Sequence, residues 1–290
     1  MSHRSMSSSQ NRFVYMLILP VVVFLFALLI FPLIFTLYIS TQSSSAGLEK
    51  LRFVGLSNYK DLFTSSIFLN SVKNTIIFVL ATLGSTTLIG FFISFLLNDI
   101  KRGKGIFRTI FILPLAITPV VAGLTWSMMF NPLFGVVNYL FGLVGLPELG
   151  WATETKTALL TIIIIDTWQW TPFMTVILYA GLQMLPDETL EAAKIDGATR
   201  LQEILYITIP LLKPILIIAI IFRFMDAFRS FDIIYTVTKG GPGHATETMV
   251  VRAYLESLSY HKLEMGAVIG VVFLIITFII TKYALKAMPK

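Results

Sequence analysis

The chain has 290 residues, of which 56% are hydrophobic and 13% charged, with a formal net charge of +6 and a mean hydropathy of +0.82. Soluble domains average roughly 45–50% apolar and 25% charged, so this balance excludes a water-soluble globular protein and indicates an integral membrane protein. The absence of cysteine excludes disulfides, thiolate catalysis and cysteine metal sites, and His3, His244 and His261 are too scattered to suggest a metal cluster.

Residues 1–12 form a polar, Ser-rich tail ahead of the first apolar run, Phe13 to Ile39. That run is too long for a signal peptide, whose apolar core is roughly 7–15 residues, and is read as a retained helix kinked at Pro20 and Pro32. A bilayer core about 30 Å thick needs roughly 20 apolar residues per helix, and five further spans follow at 74–97, 107–130, 157–185, 207–231 and 263–283. Six spans place both termini on one side. With that side cytoplasmic, Lys and Arg divide twelve inside to nine outside, leaving Arg223 within a span. The short basic run Lys101, Arg102, Lys104, Arg108 belongs to this bias and is not read as a nucleic-acid signal.

Between the first two spans, Ser57 or Asn58 can cap a short helix whose Tyr59, Leu62 and Phe63 share a face, either a structural lid or a docking surface. Span two carries Gly84, Ser85, Thr86, Thr87 and Gly90, small residues that allow close helix packing. Pro114 and Pro119 remove two amide donors from span three, which should be bent or unwound there.

Span four contains Asp166, and on a 3.6-residue period Asp166, Gln169, Trp170 and Phe173 form one stripe. Carboxylate and amide groups pair with hydroxyls and aromatic rings stack on C–H faces, so the stripe suits a neutral polyhydroxylated ligand; Thr167 and Thr171 on a neighbouring face could add hydroxyls. A buried interhelical hydrogen bond at Asp166, with the rings as packing, is the competing reading. Intramembrane ionisable groups favour the translocation path. In span five Arg223, Asp226 and Arg229 recur every three residues and can form an ion-pair ladder, with Arg229 and Asp232 at the outer interface. A free positive charge at Arg223 would suit an anionic sugar derivative.

Between these spans lies a polar island, Asp187 to Gln202, within a loop spanning 186–206. Asp187 is placed to cap a helix over Glu188 to Ile195, Gly197 to stop it, and a second helix begins near Thr199, making an elbow with a small tip. A helical rise of 1.5 Å puts Phe173, thirteen residues before Pro186, level with Arg223, thirteen after Pro210.

Glu191-Ala-Ala-Lys-Ile-Asp-Gly-Ala198 followed by Ile207-Thr-Ile-Pro210 resembles the EAA loop of the membrane subunits of bacterial binding-protein-dependent ABC importers. FVGLSNYKDLF, FRTIFILPLAITPVVAGLTW and FDIIYTVTKGGPGHATETM resemble their carbohydrate branch, in its first-permease type. Leu201 and Ile204 replace frequent aromatics, and Lys239 stands where a small residue is common.

The resemblance implies an all-α type I importer permease fold over 13–290, multi-pass in the bacterial cytoplasmic (inner) membrane, and import of a sugar or sugar derivative (oligosaccharide, polyol, glycerol phosphate or anionic sugar) by alternating access. It implies a second, similar permease subunit, two cytoplasmic ATPases that carry ATP and magnesium, and an extracytoplasmic sugar-binding protein. The chain itself would hold no catalytic residue, cofactor or metal. Glu191, Ala192, Ala193, Asp196, Gly197 and Ala198 would couple to the ATPase; Asp166, Gln169, Trp170, Phe173, Arg223, Asp226, Ala227 and Ser230 would meet substrate. The alternative is an ion-coupled secondary transporter that uses Asp166 or Asp226.

Overall fold

A computed structural model describes residues 8–44, 51–100 and 103–287. The start of the N-terminal tail, most of Lys101 to Lys104 and the C-terminal Lys290 fall outside what it describes in full. Among the described residues the chain is mostly helical. Five helices are long and apolar enough to cross a bilayer, and a bent pair, if it is one span, makes six.

Two units are distinct. The first joins the chain up to Thr64 with Ala253–Leu274. Its helix α1 (Ser8–Leu25) runs through a wide π turn (Phe26–Ile30) into α2 (Phe31–Ser40). The π turn lies just before Pro32, whose ring would otherwise clash with the preceding turn, so Pro32 widens the helix and Pro20 is accommodated within α1. A hairpin absent from the expectations pairs β1 (Gln42–Ser44) with β2 (Leu51–Phe53). In α3 (Ser57–Thr64) Leu62 is buried, Tyr59 shares a hydrogen bond with Ser40 at 2.7 Å and Phe63 is exposed, so the three do not act as one face. Asn58 is no cap: its amide donates to the Ser40 and Gln42 carbonyls at 3.0 and 2.7 Å and pins α3 beneath the hairpin.

The second unit runs from Ser65 to Arg252 with the chain from Ile275 onward. Its longest element, α4 (Ser66–Asp99), packs along α8 (Ala158–Leu182), the most buried of the apolar helices. A Cβ on Gly90 would lie 2.7 Å from Met174 Cβ, and Ser85 and Thr167 share a hydrogen bond at 2.7 Å. Gly84 has open space around it and does not belong to this seam. Gly90→Val should overpack the seam by about 1–3 kcal/mol and lower the unfolding temperature of the purified protein, whereas Gly84→Ala should leave it unchanged; equal midpoints would refute the close approach.

Span three is broken as expected, into α5 (Lys104–Ala116) and α6 (Pro119–Met129) at 96°. Thr118 is extended, as a residue before proline prefers, and the Ile117 carbonyl freed at the break accepts the Gln169 amide at 2.8 Å. After α7 (Val136–Leu143), Trp151 donates to Asn138 Oδ1 at 2.6 Å and packs against Phe130 and Phe141.

Beyond α8 come α9 (Asp187–Ile195) and α10 (Arg200–Glu203), then a second π turn (Ile204–Thr208) ahead of Pro210, leading into α11 (Ile209–Phe228). Span five therefore ends at Phe228 instead of Phe231. Short α12 (Asp232–Thr238) folds back onto α6, where a Cβ on Gly123 would sit 3.3 Å from Thr236 Cβ. The loop that follows begins at Lys239, whose φ of +53° is a left-handed conformation that glycine adopts more readily than lysine. The Asn70 and Asn74 amides clasp it by donating to the His244 carbonyl at 2.8 and 3.0 Å, and Glu247, itself buried, pairs with His244 and Arg252. Helices α13 (Met249–Tyr254) and α14 (Leu263–Ala287) complete the chain's helices.

Candidate functional site

Asp166 on α8 and Arg223 on α11 are both fully buried and ion-paired, Arg223 Nη2 donating to Asp166 Oδ1. A lone charge at this depth would carry a penalty of several kcal/mol, so each side chain makes the other tolerable. Arg223 Nη1 donates to Asp226 Oδ2 at 3.3 Å, and Arg229 Nη2 to Asp226 Oδ1 at 3.4 Å, so the expected three-residue ladder is present. The Arg223 guanidinium also lies 5.4 Å from the centroid of the Trp170 ring, a cation–π distance, and Trp170 meets Phe173 edge-on at 6.1 Å.

In front of this cluster is a cavity of about 300 Å³ lined by Pro119, Trp170, Asp226, Arg229, Ser230, Phe231, Asp232 and Ile233. Of the expected substrate residues, Trp170, Asp226 and Ser230 reach it directly. The others do different work. Asp166 and Arg223 are spent on each other behind the wall, Gln169 holds the broken helix, Ala227 is buried against the chain and Phe173 supports Trp170 from its edge. Thr167 and Thr171 are not on the site either. Thr167 bonds Ser85, and Thr171 donates to the Thr167 carbonyl at 2.6 Å. Asp166 Oδ2, Gln169 Oε1 and Arg223 Nε are buried with no hydrogen-bond partner among the described residues, which leaves polar capacity behind the wall.

Arg229 and Asp232, the pair expected at the outer interface, line the cavity. The helix stops at Phe228 and the chain turns back through α12, which no Gly or Pro in Arg229-Ser-Phe-Asp232 signals. Arg223 meets Asp166 and Trp170, and Trp170 in turn meets Phe173; the helix leading into α11 begins at Arg200, well before Pro210.

The elbow forms, with one correction: Pro186 occupies the cap position and Asp187 is the first helical residue, where its charge still favours the helix N-terminus. Gly197 has a φ of +76°, and the amides of Asp196, Gly197 and Ala198 close the end of α9 on the carbonyls of Ala192, Lys194 and Ala193. Thr199 and Gln202 form a reciprocal capping box for α10. Glu191, Ala192, Asp196 and Gly197 are exposed and Ala198 is half-buried; Ala193 faces this chain's interior. Ile195, 86% exposed at the tip, and Tyr206 add apolar surface that the motif had not singled out, and Leu201, which replaces a frequent aromatic, is exposed beside them. Arg200 fastens the elbow to the end of α4 by pairing with Asp99 at 2.9 Å, and Gln183 donates to Asn98 at 2.5 Å.

Residues 86–288 match the family described as "Binding-protein-dependent transport system inner membrane component". The trehalose/maltose transport system permease protein MalF of Thermococcus litoralis is 36% identical over 267 residues, covering 92% of this chain and 88% of the relative. The sn-glycerol-3-phosphate transport system permease protein UgpA of Agrobacterium fabrum is 31% identical over 283 residues, covering 95% and 94%. A chain from the crystal structure of a bacterial alginate ABC transporter, in complex with an alginate pentasaccharide-bound periplasmic protein, superposes with a TM-score of 0.81 at 20% identity. It covers 95% of this chain and 93% of that one, a likeness of fold. With an apolar multi-helix body, a broken third span and the elbow in place, the chain belongs to the inner-membrane permease components of binding-protein-dependent ABC transport systems.

Proposed function

We propose that this permease forms one half of a two-permease pore that imports a sugar or sugar derivative. An extracytoplasmic binding protein supplies the cargo and two cytoplasmic ATPases, which hold ATP and magnesium, supply the energy. Both termini and the elbow then lie on the cytoplasmic side. The observation that carries the sugar reading is the cavity in which an aromatic face, a carboxylate and a hydroxyl, from Trp170, Asp226 and Ser230, converge where α8 and α11 meet. Those two helices flank the elbow, so movement of the elbow reaches both walls.

Alternating access follows from this arrangement. ATP-driven closure brings the elbows of the two permeases together, the cavity opens outward to take sugar from the docked binding protein, and hydrolysis resets it. A ligand shifts such an equilibrium only through its differential affinity for the two states, so weak cavity contacts suffice. The exposed face of Glu191, Ala192, Asp196 and Gly197, with Ile195 at the tip, is the surface offered to the ATPase. Ion-coupled transport through Asp166 is disfavoured, because that carboxylate is already held by Arg223.

Trp170→Ala tests the reading. Removing one aromatic contact worth about 0.5–1.5 kcal/mol should reduce ATP-dependent uptake in proteoliposomes roughly two- to twelvefold, with the complex still assembled. Uptake equal to that of the unmodified transporter would mean that Trp170 is packing alone.

A further inference from the structure

The named relatives serve neutral and anionic cargoes alike, so family membership leaves the charge of this cargo open. The side chains around the cavity decide it. A permease for an anionic sugar needs a cation free to meet the anion, and of the cations at this cavity the one set behind the wall is Arg223. It is fully buried, its two terminal nitrogens are taken by Asp166 and Asp226, and the Trp170 ring lies against it. Arg229 reaches the cavity but is tethered to Asp226.

The charges then add up simply. Asp166, Arg223, Asp226 and Arg229 cancel, and Asp232 lines the cavity without an ion pair among the described residues, leaving the site one negative charge in excess. Of the three charged side chains on the wall itself, two are carboxylates. At a separation of several ångströms in a partly desolvated site, a carboxylate, sulfonate or phosphate on the cargo would meet net repulsion, whereas hydroxyls can donate to Asp226 and Asp232 and a C–H face can stack on Trp170.

We infer that this chain's half of the pathway is built for an uncharged carbohydrate and disfavours sugar acids and sugar phosphates. This rests on the cavity being the transport path, the reading that Trp170→Ala tests separately.

The natural absence of cysteine allows a direct measurement that needs no knowledge of the cargo. Ser230→Cys is introduced into the complete transporter in membrane vesicles. Three methanethiosulfonate reagents are then applied, carrying a sulfonate, no charge or a quaternary ammonium group. Labelling of this chain is followed by mass, and each rate is divided by that of the same reagent with a free thiol in solution. The sulfonate reagent is expected to be at least fivefold slower than the neutral one and the cationic reagent at least as fast, and adding Asp232→Asn should remove most of the difference. Phe231→Cys, on the same wall, gives an independent reading should Ser230→Cys assemble poorly. A sulfonate reagent that reacts as fast as the neutral one at these positions would overturn the inference while leaving sugar import standing. Failure of all three reagents at both positions would overturn it too, since the cavity would then be closed to solutes.

Discussion

Gly197→Pro is expected to abolish ATP-driven uptake while the permease still inserts and assembles with its partners. Gly197 holds a φ of +76°, and proline is confined to about −65°, so the turn between α9 and α10 cannot form as it stands. Proline also removes the amide that donates to the Lys194 carbonyl at 3.2 Å. Gly197→Ala is the graded control. No atom lies within 4 Å of an added Cβ, so alanine meets only the conformational penalty of a left-handed backbone, about 1–2 kcal/mol, and should weaken coupling without eliminating it. The measurement is uptake and ATPase activity of the reconstituted complex, side by side. Full uptake in the proline variant would sink the coupling role of the elbow.

Asp166→Ala is expected to be the second large effect, and to act on stability as well as transport. Its removal strands Arg223 in a fully buried position with the 3.3 Å contact to Asp226 and the Trp170 ring remaining. Breaking a buried pair from one side typically loses 3–5 kcal/mol, and the surviving partner places this case near about 3 kcal/mol. Yield and thermal unfolding midpoint of the purified complex should both fall. The double variant Asp166→Leu with Arg223→Met removes both charges, and its midpoint should recover because apolar side chains of similar size suit this environment. An unaltered midpoint in Asp166→Ala would mean that the pair is not holding α8 to α11.

Much of the fold could be read from residue order alone. Long apolar runs announced the crossings, Pro114 and Pro119 announced the break, and Gly197 announced the elbow, because each depends on local chemistry that the neighbouring residues cannot override. Helix phase likewise put Asp166 and Trp170 on one stripe. What phase cannot supply is the neighbour that the stripe faces. Asp166 and Arg223 are 57 residues apart, and whether the carboxylate met ligand, water or a cation depended on how α8 and α11 are rotated against each other. Gln169 illustrates the same gap: its partner is a carbonyl freed by a break 52 residues earlier. The residues beyond Phe228 were misplaced for another reason. An apolar reading extends a span as long as hydrophobicity permits, and it carries no signal for a chain that turns back to line a cavity.

The ties on α4 have a mechanical consequence. At one end Asn70 and Asn74 grip the loop at His244, and at the other Asn98 and Asp99 hold Gln183 and Arg200 beside the elbow. Both ends belong to one unbroken helix of 34 residues, about 50 Å of rod. On the proposed reading of the elbow, a push delivered there would be carried as axial load along a strut to the far loop. Among the described residues, that strut contributes nothing to the cavity wall.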